Sequence, residues 1–194
     1  MSFKFQHMCK LSGPILIEPR VFEDERGWFA EEYKRSEFER HGIGPEFQQD
    51  NQSYSRARGT LRGLHFQKSP AAQGKLVQCL AGEVFDVVVD IQRGSPTYGK
   101  WEAVSLSFQN RRLLWIPQGF AHGFQALTDN VVVGYKVTSE YSSLYDRCIR
   151  WNDPQLGISW PHPHPILSKK DAEAPLLSEV DNNLTYSTET SYTG

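Results

Sequence analysis

The sequence predicts an all-β domain of antiparallel strands closed into a sandwich or barrel. Three observations carry that prediction: short apolar runs that alternate with period two, turn signals between the runs, and intervals too short for crossover helices. Aromatic residues at 12%, with 15 Gly and 11 Pro in 194 residues, fit a chain of strands and turns. That length accommodates one domain rather than two independent cores.

Taken in order, a short helix is expected over Ser36–His41. Ser36 is placed to cap it, Glu39 follows at capping-box spacing, and Gly42 stops it. Leu61–Gln67 and Gln73–Val77 read as strands around a Pro-Ala-Ala loop. From Val84 to Ile91, Phe85, Val87, Val89 and Ile91 share one face, while Asp86, Val88 and Asp90 share the other. Val104, Leu106 and Phe108 alternate with Ser105 and Ser107, and Val131, Val133, Tyr135 and Val137 share a face in a later run. Turns fall at Ala81-Gly82, Arg93-Gly94-Ser95-Pro96, Gln109-Asn110, Pro117-Gln118-Gly119 and Thr128-Asp129-Asn130. Pro161-His162-Pro163-His164-Pro165 cannot continue a central strand. The expected division is a single domain over 1–177 and a polar, surface-lying or mobile tail over 178–194.

Composition excludes several function classes. Lys+Arg 21 against Asp+Glu 23 gives a net charge of −2, without the basic excess of a general nucleic-acid binder. No run approaches the roughly 18 apolar residues of a membrane span, and the N-terminus lacks a signal-peptide pattern, so the expected compartment is the cytoplasm. Cys9, Cys79 and Cys148 form an odd, widely spaced set without C-x-x-C, expected to be reduced and buried rather than disulfide-bonded or zinc-binding.

Chemistry concentrates in three stretches. Leu61-Arg62-Gly63-Leu64-His65-Phe66-Gln67 puts a cation, a glycine and an imidazole on one strand, although a strand histidine is more often a hydrogen-bonded structural residue. Gln73-Gly74-Lys75-Leu76-Val77 adds a second cation. Trp115-Ile116-Pro117-Gln118-Gly119-Phe120-Ala121-His122-Gly123-Phe124 surrounds another histidine with a turn that also serves to shape a hairpin. A glycine-bounded early histidine and a later P-x-G-x-x-H turn in a small barrel suggest a cupin-type jelly roll with a few short peripheral helices. A metal cupin offers H-x-H early, whereas this chain reads His65-Phe66-Gln67, and the Lys75 ammonium opposes a divalent ion. The residues favour metal-free proton transfer, with no metal and no cofactor expected.

The chain resembles the dTDP-4-dehydrorhamnose 3,5-epimerases, metal-free cupins acting on a nucleotide-linked 4-keto-6-deoxyhexose. The matching stretches include Asp24-Glu25-Arg26-Gly27, Phe47-Gln48-Gln49-Asp50-Asn51, Leu61–Gln67, Ser95-Pro96-Thr97-Tyr98-Gly99, Trp115–Phe124, Tyr135-Lys136 and Trp151-Asn152-Asp153, in order between Ile15 and Pro175. The resemblance implies His65 as base, oriented by Asp171, Tyr135 as acid on the opposite face and Lys75 at the enolate oxygen. It implies Arg26, Arg62 and Lys170 at the pyrophosphate. Thymine would stack on Tyr141, with Trp28 either contributed by a neighbouring subunit or simply packed after a turn. Glu31, Gln49, Asp50, Asn51, His122 and Asp146 match polar positions lining the nucleotide and sugar. Asp146 is shorter than the Glu expected there, and Glu140 stands where some relatives place an aromatic. A homodimer whose N-terminal segment reaches the partner is implied, in dTDP-rhamnose-type deoxysugar biosynthesis. Epimerisation at C3 or C5 alone is the near alternative; a metal-dependent cupin oxygenase or isomerase and a non-catalytic sugar-nucleotide binding module are the distant ones.

One conflict stands out. Strict alternation puts Arg62 and His65 on opposite faces of their strand. Both reach one ligand only if Gly63 bulges the strand, or if Arg62 acts across a subunit boundary.

Overall fold

The computed structural model describes residues 2–44 and 46–187. Two antiparallel sheets face each other. The six-stranded sheet has the order β1-β2-β10-β7-β12-β5: β1 (Phe3–His7), β2 (Ile15–Pro19), β10 (Leu113–Ile116), β7 (Lys75–Ala81), β12 (Val131–Val137) and β5 (Gln49–Ser55). The five-stranded sheet has the order β13-β6-β11-β8-β9: β13 (Asp146–Cys148), β6 (Leu61–Gln67), β11 (Phe120–Ala126), β8 (Glu83–Asp90) and β9 (Trp101–Ser107). A hairpin of β3 (Val21–Asp24) and β4 (Gly27–Ala30) stands apart. This is the antiparallel, all-β architecture the alternating runs predict, in the jelly-roll-like form that the histidine-bearing turns suggest.

Alternation decides which side chains enter the barrel. Along β8, Val84 and Val88 join Val77, Leu106, Leu114, Phe124 and Val133 in the interior cluster between the sheets. Val87 and Val89 point the other way, into a second core under the C-terminal segment with Leu64, Phe66, Ile149, Trp160 and Leu177. Both faces of the five-stranded sheet are therefore buried along its central strands, so β11 and most of β8 are buried residue after residue, the polar His122, Gln125 and Asp86 included. A third cluster packs Phe38 and Ile43 against Phe3, Ile17, Leu76 and Trp115 on the outer face of the six-stranded sheet.

Four expectations need correction. The helix α1 spans Arg35–Phe38 with Lys34 at its N-cap and no side-chain cap, followed by a 3-10 turn over Glu39–His41. Ser36 lies inside the helix and caps nothing, although Gly42, at φ 69°, ends the segment as expected. Phe108 is 44% exposed and meets Trp28 rather than sharing the buried face of Val104 and Leu106. Cys79 and Cys148 are buried, but Cys9 is exposed. The polar stretch after 178 does not lie loosely on the surface over its described part. Val180 and Leu184 enter the second core, Asn182 donates to the Ile91 carbonyl at 2.6 Å, and Arg93 N–H donates to the Leu184 carbonyl at 2.9 Å. Two apolar residues four positions apart, with the buried Asn182 between them, anchor a segment whose average composition is polar; residues 188–194 lie outside the described range. No described helix is long and apolar enough to cross a membrane.

Candidate active site

The conflict between Arg62 and His65 resolves in the β6–β11 register. Leu61 pairs with Gln125 and Arg62 with Phe124, but the next pair is His65 with His122. Gly63 and Leu64 thus stand opposite the single residue Gly123, a bulge that returns Arg62 and His65 to the same side. Gly63 has φ 131°, and a Cβ there would lie 2.5 Å from Gly123 Cα and 2.9 Å from the His122 carbonyl oxygen. Only glycine fits. Leu64, displaced by the bulge, is fully buried in the second core.

The polar end of the barrel holds a cavity of about 370 Å³. Arg62, His65, Lys75, His122, Tyr135, Lys170 and Asp171 all line it. His65 and His122 come from the five-stranded sheet, and Lys75 and Tyr135 from the six-stranded one. Lys170 and Asp171 come from α2 (Lys169–Ala172), whose N-cap Ser168 accepts from the Asp171 backbone N–H at 3.1 Å.

His65 Nε2 lies 2.6 Å from Asp171 Oδ1. Burial pushes the Asp171 carboxyl upward, but hydrogen bonds with His65, Ser168 and Cys148 and the charge of His65 outweigh it and hold the group below its usual range. The carboxylate therefore accepts from Nε2–H, which leaves the lone pair of a neutral His65 ring on Nδ1. Lys75 is 8% exposed, and its Nζ donates to the His65 carbonyl at 3.4 Å. Burial pulls its ammonium down to about 8, against the opposing charges of Asp146 and Asp86. Burial likewise raises the Tyr135 phenol, with Asp146 adding and Arg62 opposing, so the hydroxyl keeps its proton.

The mouth is organised by Asp146. It accepts from Lys170 Nζ and, at 3.2 Å, from the Tyr141 hydroxyl. Gln49 accepts from the Tyr141 backbone N–H at 2.8 Å and donates to Asn51 at 2.7 Å, while Asn51 stands opposite Tyr135 in the β5–β12 register. Tyr141 is 58% exposed, a ring free to stack at the entrance. Arg62 is held by the Tyr54 carbonyl at 2.8 Å and Ser55 Oγ at 3.2 Å. Chemically, the arrangement offers a carboxylate-oriented imidazole, a protonated phenol on the facing sheet, a buried amine and two further cations at the rim.

The family model for dTDP-4-dehydrorhamnose 3,5-epimerase matches residues 8–179. The chain belongs to the dTDP-4-dehydrorhamnose 3,5-epimerase family. It is 52% identical to the dTDP-4-dehydrorhamnose 3,5-epimerase of Salmonella typhimurium over 168 residues, covering 86% of this chain and 91% of that protein. Identity to the Shigella flexneri enzyme of the same name is 50% over 168 residues, 86% of this chain and 92% of the relative. Among solved structures, the dTDP-6-deoxy-D-glucose-3,5-epimerase of Legionella pneumophila, in complex with dTDP-4-keto-L-rhamnose, superposes with a TM-score of 0.91 at 45% identity. That match covers 95% of this chain and 99% of that one.

This epimerase-family chain does not bring every expected residue to its own cavity. Asp50 is on the outer face of β5, paired with Lys136 at 2.8 Å, because alternation turns it away from Gln49 and Asn51. Arg26 is bonded to Asp24 at the tip of the β3–β4 hairpin. Trp28, on the same hairpin, lies under the Arg111 guanidinium at 4.2 Å. Glu31 follows β4 and is absent from the cavity wall. Two residues escaped the sequence reading. Asp86 is fully buried on the barrel face, with His122 Nε2 at 2.9 and 3.0 Å from its two oxygens; a charge at a core position of an apolar strand was the available signal. Ser53 lines the cavity with a buried hydroxyl that has no protein partner, and nothing in its local sequence marks it.

Proposed function

We propose that the chain epimerises C3 and C5 of dTDP-4-dehydro-6-deoxy-D-glucose, giving dTDP-4-dehydro-L-rhamnose. The observation that carries this reading is the His65–Asp171 pair at 2.6 Å on one sheet's wall, with Tyr135 on the facing sheet and Lys75 beside them. A C–H next to a ketone is acidic only if the charge passes to oxygen. His65 Nδ1 removes the proton, and the C4 oxygen takes up the electron pair as an enolate. The Lys75 ammonium holds that oxygen, and Tyr135 returns a proton to the opposite face of the same carbon. Protons re-equilibrate with solvent, and the cycle repeats at the other carbon. Arg62 and Lys170 bind pyrophosphate oxygens, Tyr141 stacks on thymine, and Gln49, Asn51, His122 and Asp146 contact the sugar nucleotide.

The active assembly is a homodimer in this reading. Phe22, Trp28 and Phe29 are exposed on a hairpin that stands apart from both sheets, an apolar surface that favours cover by a second copy. Carried into the partner's cavity, the same hairpin supplies Arg26, Trp28 and Glu31. Free cysteines support a reducing, cytoplasmic setting.

Solvent deuterium incorporation decides the chemistry. Label at both C3 and C5 of the product is expected. Label at one carbon alone selects a monoepimerase, and none at either carbon from folded protein refutes the epimerase. Sedimentation at micromolar concentration is expected to show a dimer, and a monomer overturns that part.

A further inference from the structure

Cys148 stands directly opposite His65 in the β13–β6 register, and its thiol points at the same carboxylate: Sγ lies 3.4 Å from Asp171 Oδ1. The three potential ligand atoms of His65, Cys148 and Asp171 all fall within 4.8 Å of one another. The set is mixed in softness, one imidazole, one thiol and one carboxylate, which is the donor chemistry of zinc rather than of magnesium or calcium. Cys148 and Asp171 are buried, while His65 opens onto the cavity, so a cation has an entry path and an open position toward it.

We propose that His65, Cys148 and Asp171 form an inhibitory site for a thiophilic divalent cation of the zinc type, which binds in place of the base. The proposal rests on the epimerase reading only for the word inhibitory. Tetrahedral zinc with bonds of about 2.0–2.3 Å separates its ligand atoms by roughly 3.3–3.6 Å. The sulfur–oxygen separation of 3.4 Å already suits this, and the nitrogen–oxygen separation of 2.6 Å opens by about 0.7 Å to reach that range. In the binding step Cys148 loses its thiol proton to solvent, and the His65 ring proton moves from Nε2 to Nδ1 so that Nε2 binds the cation. One proton is released per cation. The thiolate and carboxylate together cancel the cation's two charges, which is what a buried site requires. Lys170 is already paired with Asp146, so its ammonium is compensated beside the metal. The protonated Nδ1 no longer abstracts a carbon-bound proton, and inhibition follows from the binding geometry itself.

The test uses Cys9→Ser protein, which removes the exposed thiol, titrated with Co²⁺ as a spectroscopic stand-in for Zn²⁺. One equivalent is expected to produce a thiolate-to-cobalt charge-transfer band that Zn²⁺ displaces. Cys148→Ser and Asp171→Asn, each checked for fold by circular dichroism, are expected to lose the band. In the assay Zn²⁺ is expected to inhibit reversibly on chelation, with the inhibitory concentration rising at least tenfold in Cys148→Ser relative to its own metal-free activity. Mg²⁺ is expected to have no effect. No charge-transfer band at stoichiometric cobalt, or an unchanged band in Cys148→Ser, overturns the site. A band without inhibition overturns its inhibitory role. A protein inactive without metal that still shows the band fails the epimerase reading alone.

Discussion

Replacing Gly63 with alanine tests the local feature on which the whole site depends. The added Cβ meets Gly123 Cα at 2.5 Å and the His122 carbonyl oxygen at 2.9 Å, both rigid backbone atoms of the paired strand. Overpacking of this kind costs about 1–3 kcal/mol. A non-glycine residue at φ 131° adds about 1–3 kcal/mol. The sum, about 2–6 kcal/mol, corresponds to a fall in Tm on the order of 5–20 °C for a domain of this size. The chain relieves the clash only by separating β6 from β11 or by abandoning the bulge, and the latter turns Arg62 away from the face that carries His65. Differential scanning calorimetry reads the first effect. Steady-state kinetics well below the new Tm read the second as a rise in KM for the nucleotide sugar, accompanied by a loss in kcat. Wild-type Tm and kinetics in Gly63→Ala would refute the bulge as the device that aligns the two side chains.

Three other outcomes follow from the same geometry. Asp171→Asn removes a charge-assisted hydrogen bond of about 1.5–3 kcal/mol, so kcat is expected to fall about 10- to 150-fold, less than the roughly 10²–10⁴-fold loss from His65→Ala; equal activity of the asparagine variant and the parent defeats the dyad. Tyr135→Phe keeps the base but loses the opposite-face donor, so mass spectrometry should find solvent deuterium exchange at the substrate carbon outlasting inversion; parallel loss of both contradicts the assignment of acid and base. With Lys75 near 8, the ammonium persists below that pH and becomes a neutral amine above it, so kcat is expected to decline through pH 8. A profile flat to pH 10, or an identical alkaline limb in Lys75→Met, rules out an ammonium at the enolate oxygen.

The strand pattern was legible because burial on a pleated sheet imposes period two wherever one face is apolar. Val84–Ile91 and Val131–Val137 show it directly, and β8 and β12 follow those runs closely. His65, Lys75 and Tyr135 were legible as candidates because cations, imidazoles and phenols are conspicuous in strands that are otherwise apolar. Asp86 was placed on a face without a reason to be charged, since its partner His122 is 36 residues away in sequence. Asp50 stands apart from its neighbours Gln49 and Asn51, which hydrogen-bond at the mouth, because alternation sends residues adjacent in sequence to opposite faces. The docking of residues 178–185 was hidden by a polar average that conceals Val180 and Leu184.

By itself, the sequence determined the all-β class, the family and the candidate side chains for the chemistry, because these depend on residue type and local spacing. Tertiary structure alone decided which of them share a cavity. The two-residue bulge at Gly63 and Leu64 brings Arg62 and His65 to one side, and α2 returns after about a hundred residues of chain to set Asp171 2.6 Å from His65. Side-chain direction in a strand reverses with every residue, so one inserted residue in the register, invisible to spacing rules, settles what the site contains.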